Sequence, residues 1–197
     1  MEECAFRNYM QPYECWYRGD SETAPEVARA IKQWLLGSCG ANRLTDSYDP
    51  NYFRMATYFG PMDIEHLLSN YGRCTIQFDC APQCFLKVGE FKIDFEKPGS
   101  LQNPTGFAAL PLIAVYGTGA GTVTVGNATV QIHDMEDILI LDCELQDAYR
   151  QVGDGAPESM NRNIYAPKFP ELVAGTNAVR WTGCITKVEV IPRWWAI

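Results

Sequence analysis

Residues Asn103 to Gly126 read NPTGFAALPLIAVYGTGAGTVTVG, and the fold class turns on how they are parsed. Leu112-Ile113-Ala114-Val115-Tyr116 is a run of strand formers with no polar break, the pattern of a strand buried on both faces. Thr122 to Val125 then alternates Thr with Val, as a strand with one wet face does. Between them Gly117, Gly119 and Gly121 tolerate positive φ, so the spacing predicts a tight reversal joining two strands. A phosphate cradle also uses spaced glycines, but it requires a helix to follow, so that N-terminal amides face the anion. The residues that follow here are strand-like, and that reading is set aside.

Just upstream, Lys97-Pro98-Gly99-Ser100-Leu101-Gln102-Asn103-Pro104 is the most linker-like stretch of the chain. It suggests a domain boundary between residues 1–97 and 98–197. In the first half, Pro12 to Tyr17 reads as a short aromatic strand. Thr23-Ala24-Pro25-Glu26 then forms a capping box, with Thr23 as N-cap and Pro25 in the first turn. Val27, Ile31, Trp34 and Leu35 recur at helical spacing and predict one apolar stripe, ended by Gly37. Tyr52 to Phe59 resumes as a strand. Asp63 to Tyr71 fits either a short helix or a hairpin strand, because Ile64, Leu67, Leu68 and Tyr71 satisfy both patterns. Cys74 to Cys80 alternates as a strand, and Phe91 to Phe95 does the same.

Beyond Gly126 the pattern predicts strands at Ala128–Ile132, Ile138–Tyr149, Ala178–Trp181 and Ile185–Ile191. Many short strands with no helix signal after Gly37 indicate an all-β sandwich in the second half.

Composition narrows the function classes. The chain has 197 residues, 47% of them hydrophobic, enough for one sizeable core or two small ones. A net charge of −8 with no Lys/Arg cluster argues against a duplex-binding surface and sequence-specific nucleic acid recognition. The longest nearly unbroken apolar run, Phe107 to Tyr116, is far short of the ~20 residues of a membrane helix, so no membrane insertion is expected. Met1-Glu2-Glu3-Cys4 lacks the basic and apolar regions of a signal peptide, and the eight cysteines are therefore expected to be reduced. Cys74, Cys80 and Cys84 lie close in sequence but lack paired C-x-x-C ligands and a following His, so no metal site and no cofactor is expected.

Candidate chemistry is sparse. His133-Asp134-Met135-Glu136-Asp137 is the richest polar cluster, and reads better as a charged turn than as a metal site. Asp142 and Glu144 share a strand face and form an acid/base pair only if apposed across a cleft. With His66 and His133 the only histidines and no G-x-S-x-G elbow, no catalytic triad is evident and no enzyme activity is expected. Arg18-Gly19-Asp20 is a turn-forming tripeptide by composition. Of Trp194-Trp195, adjacent on a strand, one side chain at most faces a ligand.

Several separated motifs share an order and spacing. They are Trp34-Leu35, Tyr52-Phe53-Arg54-Met55-Ala56, Gly72 to Pro82 (GRCTIQFDCAP), Asn103-Pro104-Thr105 and Pro111 to Gly117 (PLIAVYG). Ile140 to Glu144 (ILDCE), Phe169-Pro170, Gly175-Thr176-Asn177 and Ile191 to Trp195 (IPRWW) continue the series. Together they resemble the distal tail proteins of long-tailed, non-contractile bacteriophages and related prophages, from about Pro12 onward.

The resemblance implies a mainly β protein with one α-helix: an N-terminal belt β-sandwich with helix and hairpin, followed by a galectin-like β-sandwich. It makes Ile64–Leu68 a strand. It also implies a non-enzymatic virion protein, assembled as a homo-hexamer ring at the tail tip between the tail tube protein and the hub or fibre protein. The host cytoplasm would be the place of assembly. Members usually carry further strands ahead of the region matching Pro12–Tyr17, where this chain has eleven residues, so the belt sandwich is expected to lack its first strands. Tyr52, Arg54 and Tyr58 are the candidate self-assembly surface. A rival reading takes the galectin-like half as a carbohydrate-binding module for the host cell wall, with Trp181 and Trp194 as candidate sugar-stacking residues. In a ring, the acidic balance predicts a lumen that repels passing DNA.

Overall fold

The computed structural model describes residues 6–16, 22–60, 73–151, 153 and 155–197. The Ile64–Leu68 strand, His66 and the Arg18-Gly19-Asp20 tripeptide lie outside the described residues. In chain order the elements are β1 (Tyr9–Trp16), α1 (Ala24–Leu36), β2 (Asn42–Leu44), β3 (Tyr52–Tyr58), β4 (Arg73–Leu86), β5 (Ile93–Phe95) and β6 (Gly99–Asn103). They continue as β7 (Leu112–Val125), β8 (Ala128–Ile132), β9 (Glu136–Asp142), β10 (Asp147–Arg150) and β11 (Glu158–Ser159). The last are β12 (Ile164–Tyr165), β13 (Gly175–Ile191) and β14 (Trp195–Ala196). The protein is mainly β, with antiparallel pairing and one α-helix among the described residues.

The chain divides into two compact units, Met1–Cys84 with Ile197, and Phe85–Ala196. The division falls upstream of the boundary suggested at residues 97/98. The physical reason is that the linker-like stretch is itself a strand: β6 pairs with β13 from Gly99↔Val179 to Asn103↔Gly175. Its turn-rich composition serves the end of that strand. Buried Asn103 accepts from the Thr105 amide and hydroxyl through Oδ1, and donates from Nδ2 to the Phe107 and Leu172 carbonyls. All four of its hydrogen-bonding capacities are used, which is what permits an amide side chain in a core.

The first unit is a sheet in the order β1-β4-β3-β2 with α1 packed against it. Cys74 and Ile76 of β4 are buried against Ala28 and Leu35, with Ile31, Cys15, Tyr58 and Phe78 around them. The apolar stripe of α1 thus runs through Ala28, Ile31 and Leu35, where the methyl side chain of Ala28 allows close approach to the sheet. Trp34, expected in that stripe, is 67% exposed. At 100° per residue it lies roughly 90° round the helix from the stripe's centre. The capping box does not form either. Thr23 already has helical backbone angles (φ −91°, ψ −13°) and its side chain makes no capping bond, since a capping side chain requires an extended backbone there. Gly37 ends the helix in the right-handed region (φ −70°), without the left-handed cap expected of it.

The second unit is built on two long strands, β7 and β13, paired to one another from Leu112↔Ile191 to Val125↔Val179. The reversal expected at Gly117–Gly121 is absent, because β7 runs through those glycines unbroken. The chain turns instead at Gly126-Asn127, where Gly126 has φ +61° and Val125 pairs with Ala128. In the same way Ala178–Trp181 and Ile185–Ile191, read as two strands, are one strand that passes Gly183. The predicted single strand Ile138–Tyr149 is the reverse case: β9 and β10 fold back on each other, Asp142 against Asp147, with Gln146 at φ +54° in the turn.

These glycines bend the strands without reversing them. Around them the β7/β13 register shifts twice, between Gly183 and Ile185 and between Ile185 and Lys187. On one side of the bend lies β11-β10-β9-β7-β13-β5, and on the other β7 and β13 continue with β8, β12 and β6. Residues 113, 115, 123 and 125 share one face of β7 by strand alternation, and all four are fully buried in a single core. Both halves of the bent sheet therefore pack their inner faces together, the β-sandwich arrangement. The outward threonines of the alternating stretch bond across strands, Thr122 to Thr182 at 2.6 Å and Thr124 to Thr129 at 2.8 Å.

Candidate functional site

On β3, strand alternation sends Tyr52, Arg54 and Tyr58 to one face. The structure brings Arg54 and Tyr58 into contacts within the first unit. Arg54 meets a residue that the sequence reading passed over, Asp46, at 3.0 Å. Asp46 sits in the turn-rich stretch 44–50, and its Oδ1 accepts from the amides of Tyr48 and Asp49, closing the turn on itself. Its Oδ2 accepts the Tyr13 hydroxyl at 2.6 Å as well as Arg54 Nη1. The Tyr13 bond, the turn amides and the Arg54 charge hold the Asp46 carboxyl below its usual range despite burial, which acts the other way. Burial pushes the Tyr13 hydroxyl up, and its bond to the carboxylate pushes it further. The only trace of this site in the sequence was the Asp of a turn, a residue type expected there for local reasons.

Tyr58 belongs to the packing beneath α1. Its ring meets Phe78 edge-on at 6.1 Å, and Phe78 meets Tyr13 in the same manner at 5.9 Å. Tyr52 is half-buried.

Neither candidate sugar-stacking residue is fully exposed. Trp194 is 4% exposed and lies in the core of the second unit, with its carbonyl accepting the Leu86 amide. Trp181 is half-buried and packs against the same core. The neighbouring Trp195 stacks on Phe107 at 4.5 Å and donates from Nε1 to the Ala108 carbonyl.

Asp142 and Glu144 are drawn together by a cation, Arg193. Asp142 receives Arg193 Nη1 at 2.8 Å and Nη2 at 3.1 Å, a two-pronged pairing, and Glu144 receives Nη1 at 3.2 Å. Burial alone would push the Asp142 carboxyl up; the Arg193 bonds and charge, with the amides of Leu145 and Glu144, outweigh it and hold the group below its usual range. A carboxyl held ionised in this way is unsuited to donate a proton near neutral pH. Arg193 itself has φ +56°. The His133–Asp137 cluster connects β8 to β9, with Met135 buried and exchanging backbone hydrogen bonds with Gly119. No group of three ligating side chains stands close enough to hold a metal ion among the described residues.

A further charged group lies on the outer face of β13. Glu189, 8% exposed at the side chain, accepts from Lys187 at 2.7 Å, Tyr116 at 3.0 Å and Lys92 at 3.1 Å. The Lys187 bond leads, and the carboxyl is pulled down to about 2 from 4.5. A depressed carboxyl contributes stability that is present above its unfolded value and is lost as pH falls through the folded one. Glu189→Gln is therefore expected to cost about 1 kcal/mol at neutral pH, the lysines being open to solvent and the pairs screened. Denaturant unfolding at pH 7 and at pH 2.5 checks this, with the gap between wild type and variant narrowing in acid.

No protein-family model matches the chain, and no curated protein sequence does. Among solved structures, the fold is similar to that of Dit (gp 19.1) of SPP1, described as a paradigm of the hub adsorption apparatus in phages that infect Gram-positive bacteria. The TM-score is 0.69 at 12% identity, over 98% of this chain and 81% of that one. At that identity the likeness is one of fold.

Proposed function

We propose that the chain is a structural protein of a phage or prophage tail, contributing to a ring at the distal tip that joins the tail tube to the hub or fibre protein. The observation that carries the proposal is the extent of the likeness to the SPP1 protein, which takes in both units and not one sandwich alone. A β-sandwich is shared by many functions, so the weight rests on the combination of the two units in one order. The motif series from Trp34 to Trp195 points the same way. The partners in this reading are further copies of the chain, the tail tube protein and the hub or fibre protein, and the location is the virion tail. Tyr52, half-buried on β3, is the residue of the original three left to contribute to subunit contact, while Arg54 and Tyr58 shape the surface from within their own unit.

Light scattering on the purified protein over a range of concentrations tests the assembly. The expected result is a species of six times 22.1 kDa. A monomer at every concentration that also fails to co-sediment with tail tubes would count against the role.

The carbohydrate-binding alternative rests on stacking residues, and burial of Trp194 withdraws one of the two. Nothing in the geometry favours it over the assembly role.

A further inference from the structure

In the antiparallel pair β1/β4, Cys15 stands directly opposite Cys74. Directly opposed residues of such a pair have Cα atoms about 4.5 or 5.5 Å apart, whichever of the two ladder positions they occupy. Both values fall inside the roughly 4.4–6.8 Å span that a disulfide requires. Opposition on a shared face also aims the two side chains the same way, and both join the packing beneath α1. Cys15 Sγ reaches the Tyr13 carbonyl on its own strand at 3.7 Å. Both are free thiols here.

The other described cysteines are not so placed. Cys80 lies opposite Tyr9, and Cys80 and Cys84 are four residues apart on one strand, which separates their Cα atoms by about 13 Å. Access is available too. Cys15 and Cys74 line an open cleft of about 330 Å³ together with Glu14, Trp16, Arg73 and Thr75. Cys74 is buried and Cys15 half-buried, so an oxidant entering the cleft meets Cys15 first.

We propose that Cys15 and Cys74 form a cross-strand disulfide by exchange with a low-molecular-weight disulfide, RSSR, when the protein passes from a reducing to an oxidising medium. The Cys15 thiol gives its proton to water, and the thiolate attacks one sulfur of RSSR, forming Cys15–S–S–R and releasing RS⁻. The Cys74 thiol then loses its proton, and its thiolate attacks the Cys15 sulfur, forming the Cys15–Cys74 bond and releasing the second RS⁻. Two electrons pass from the protein dithiol to RSSR, which leaves as two thiols. The bond closes the chain around α1, β2 and β3 and ties β1, at one edge of the sheet order, to β4. This inference stands on the strand register and does not depend on the proposed tail role.

The test incubates the full chain with oxidised glutathione under native conditions, blocks remaining thiols with iodoacetamide, and maps the products by mass spectrometry without reduction. The expected product is a linked pair of peptides carrying Cys15 and Cys74, lighter by two hydrogens than the two reduced peptides together. A rise of about 10 °C in a thermal unfolding midpoint, reversed by dithiothreitol, should accompany it. Cys74→Ser is expected to trap a stable glutathione adduct on Cys15. A link from Cys15 or Cys74 to any other cysteine overturns the proposal, as does a lasting adduct on wild-type Cys15 or recovery of both as unreacted thiols. The wild-type map decides the matter even if a variant fails to fold.

Discussion

Arg193→Ala is expected to destabilise the second unit by about 2–3 kcal/mol, one of the two largest effects the structure predicts. Asp142 is 5% exposed, and its two carboxylate oxygens face the two Nη atoms of Arg193. Removing a guanidinium from a buried pair leaves a charge that has lost its water and its partner, and such losses run to ~3–5 kcal/mol when both groups are enclosed. Here the Arg193 side chain is 27% exposed, so water entering beside the vacated position offsets part of the cost and sets the lower figure. Glu144 adds little, with its side chain 61% exposed at 3.2 Å.

The pH dependence separates this cause from a simple loss of packing. The Asp142 carboxyl is held below its ordinary value of 3.8 in the folded chain. Its contribution to stability is thus present in full above about pH 4 and is lost as pH falls through the lower, folded value. Without Arg193, only the amides of Leu145 and Glu144 oppose burial, the largest influence on the carboxyl, and the group is expected to move up. The variant should then recover stability relative to wild type as pH falls from 7 toward 4, because protonation relieves the stranded charge. Urea unfolding at pH 7, 5 and 4 measures this. A wild-type-to-variant difference that is constant across the series would show that Arg193 acts through the contacts of its stem and not through its charge.

How much of this was legible in the sequence depended on the range of the interaction. The alternation in Cys74 to Cys80 marks Ile76 and Phe78 as one face, and both turn inward, Ile76 buried and Phe78 half-buried against the same cluster. Thr122 to Val125 behaves the same way, with valines inside and threonines bonded across strands. A period of two is a local property, and burial follows it directly. Helix existence was legible for the same reason, whereas the width of the buried stripe was not. Whether Trp34 or Ala28 faces the sheet is decided by how near the strands lie, which no window of the helix contains. The Asp142–Arg193 and Asp46–Arg54–Tyr13 groups are further beyond local pattern. Each joins residues that the topology alone brings together, so Asp142 looked like a partner for Glu144 on its own strand, and Asp46 like any turn residue. The stacking role assigned to Trp194 failed at the same level, since the residue beyond Arg193 enters the core of the second unit.

The glycines show the limit most sharply, and they carry the other large prediction. A glycine in a strand pattern has two structural uses, reversal of the chain or close approach of another backbone, and composition does not separate them. At Gly117 the use is close approach. A Cβ placed there would collide with the Cys184 carbonyl of β13, and would also lie 2.8 Å from the Met135 Cε. The backbone adds a second objection, since φ is +158°. Gly117→Ala must therefore either push β13 away or distort the bend by which β7 enters both halves of the sandwich. Neither neighbour yields easily: one is backbone within a paired strand, and Met135 is 1% exposed. The expected cost is about 3–4 kcal/mol, combining overpacking with backbone strain. Gly106→Ala provides the control, because a Cβ there meets nothing within 4 Å and should change stability by no more than about 0.5 kcal/mol. Urea unfolding of the two variants beside the wild type compares them under one condition. Equal stability of the two would mean that β7 passes Gly117 without the contact to β13, and the bend that folds the sheet onto a single core would need another cause.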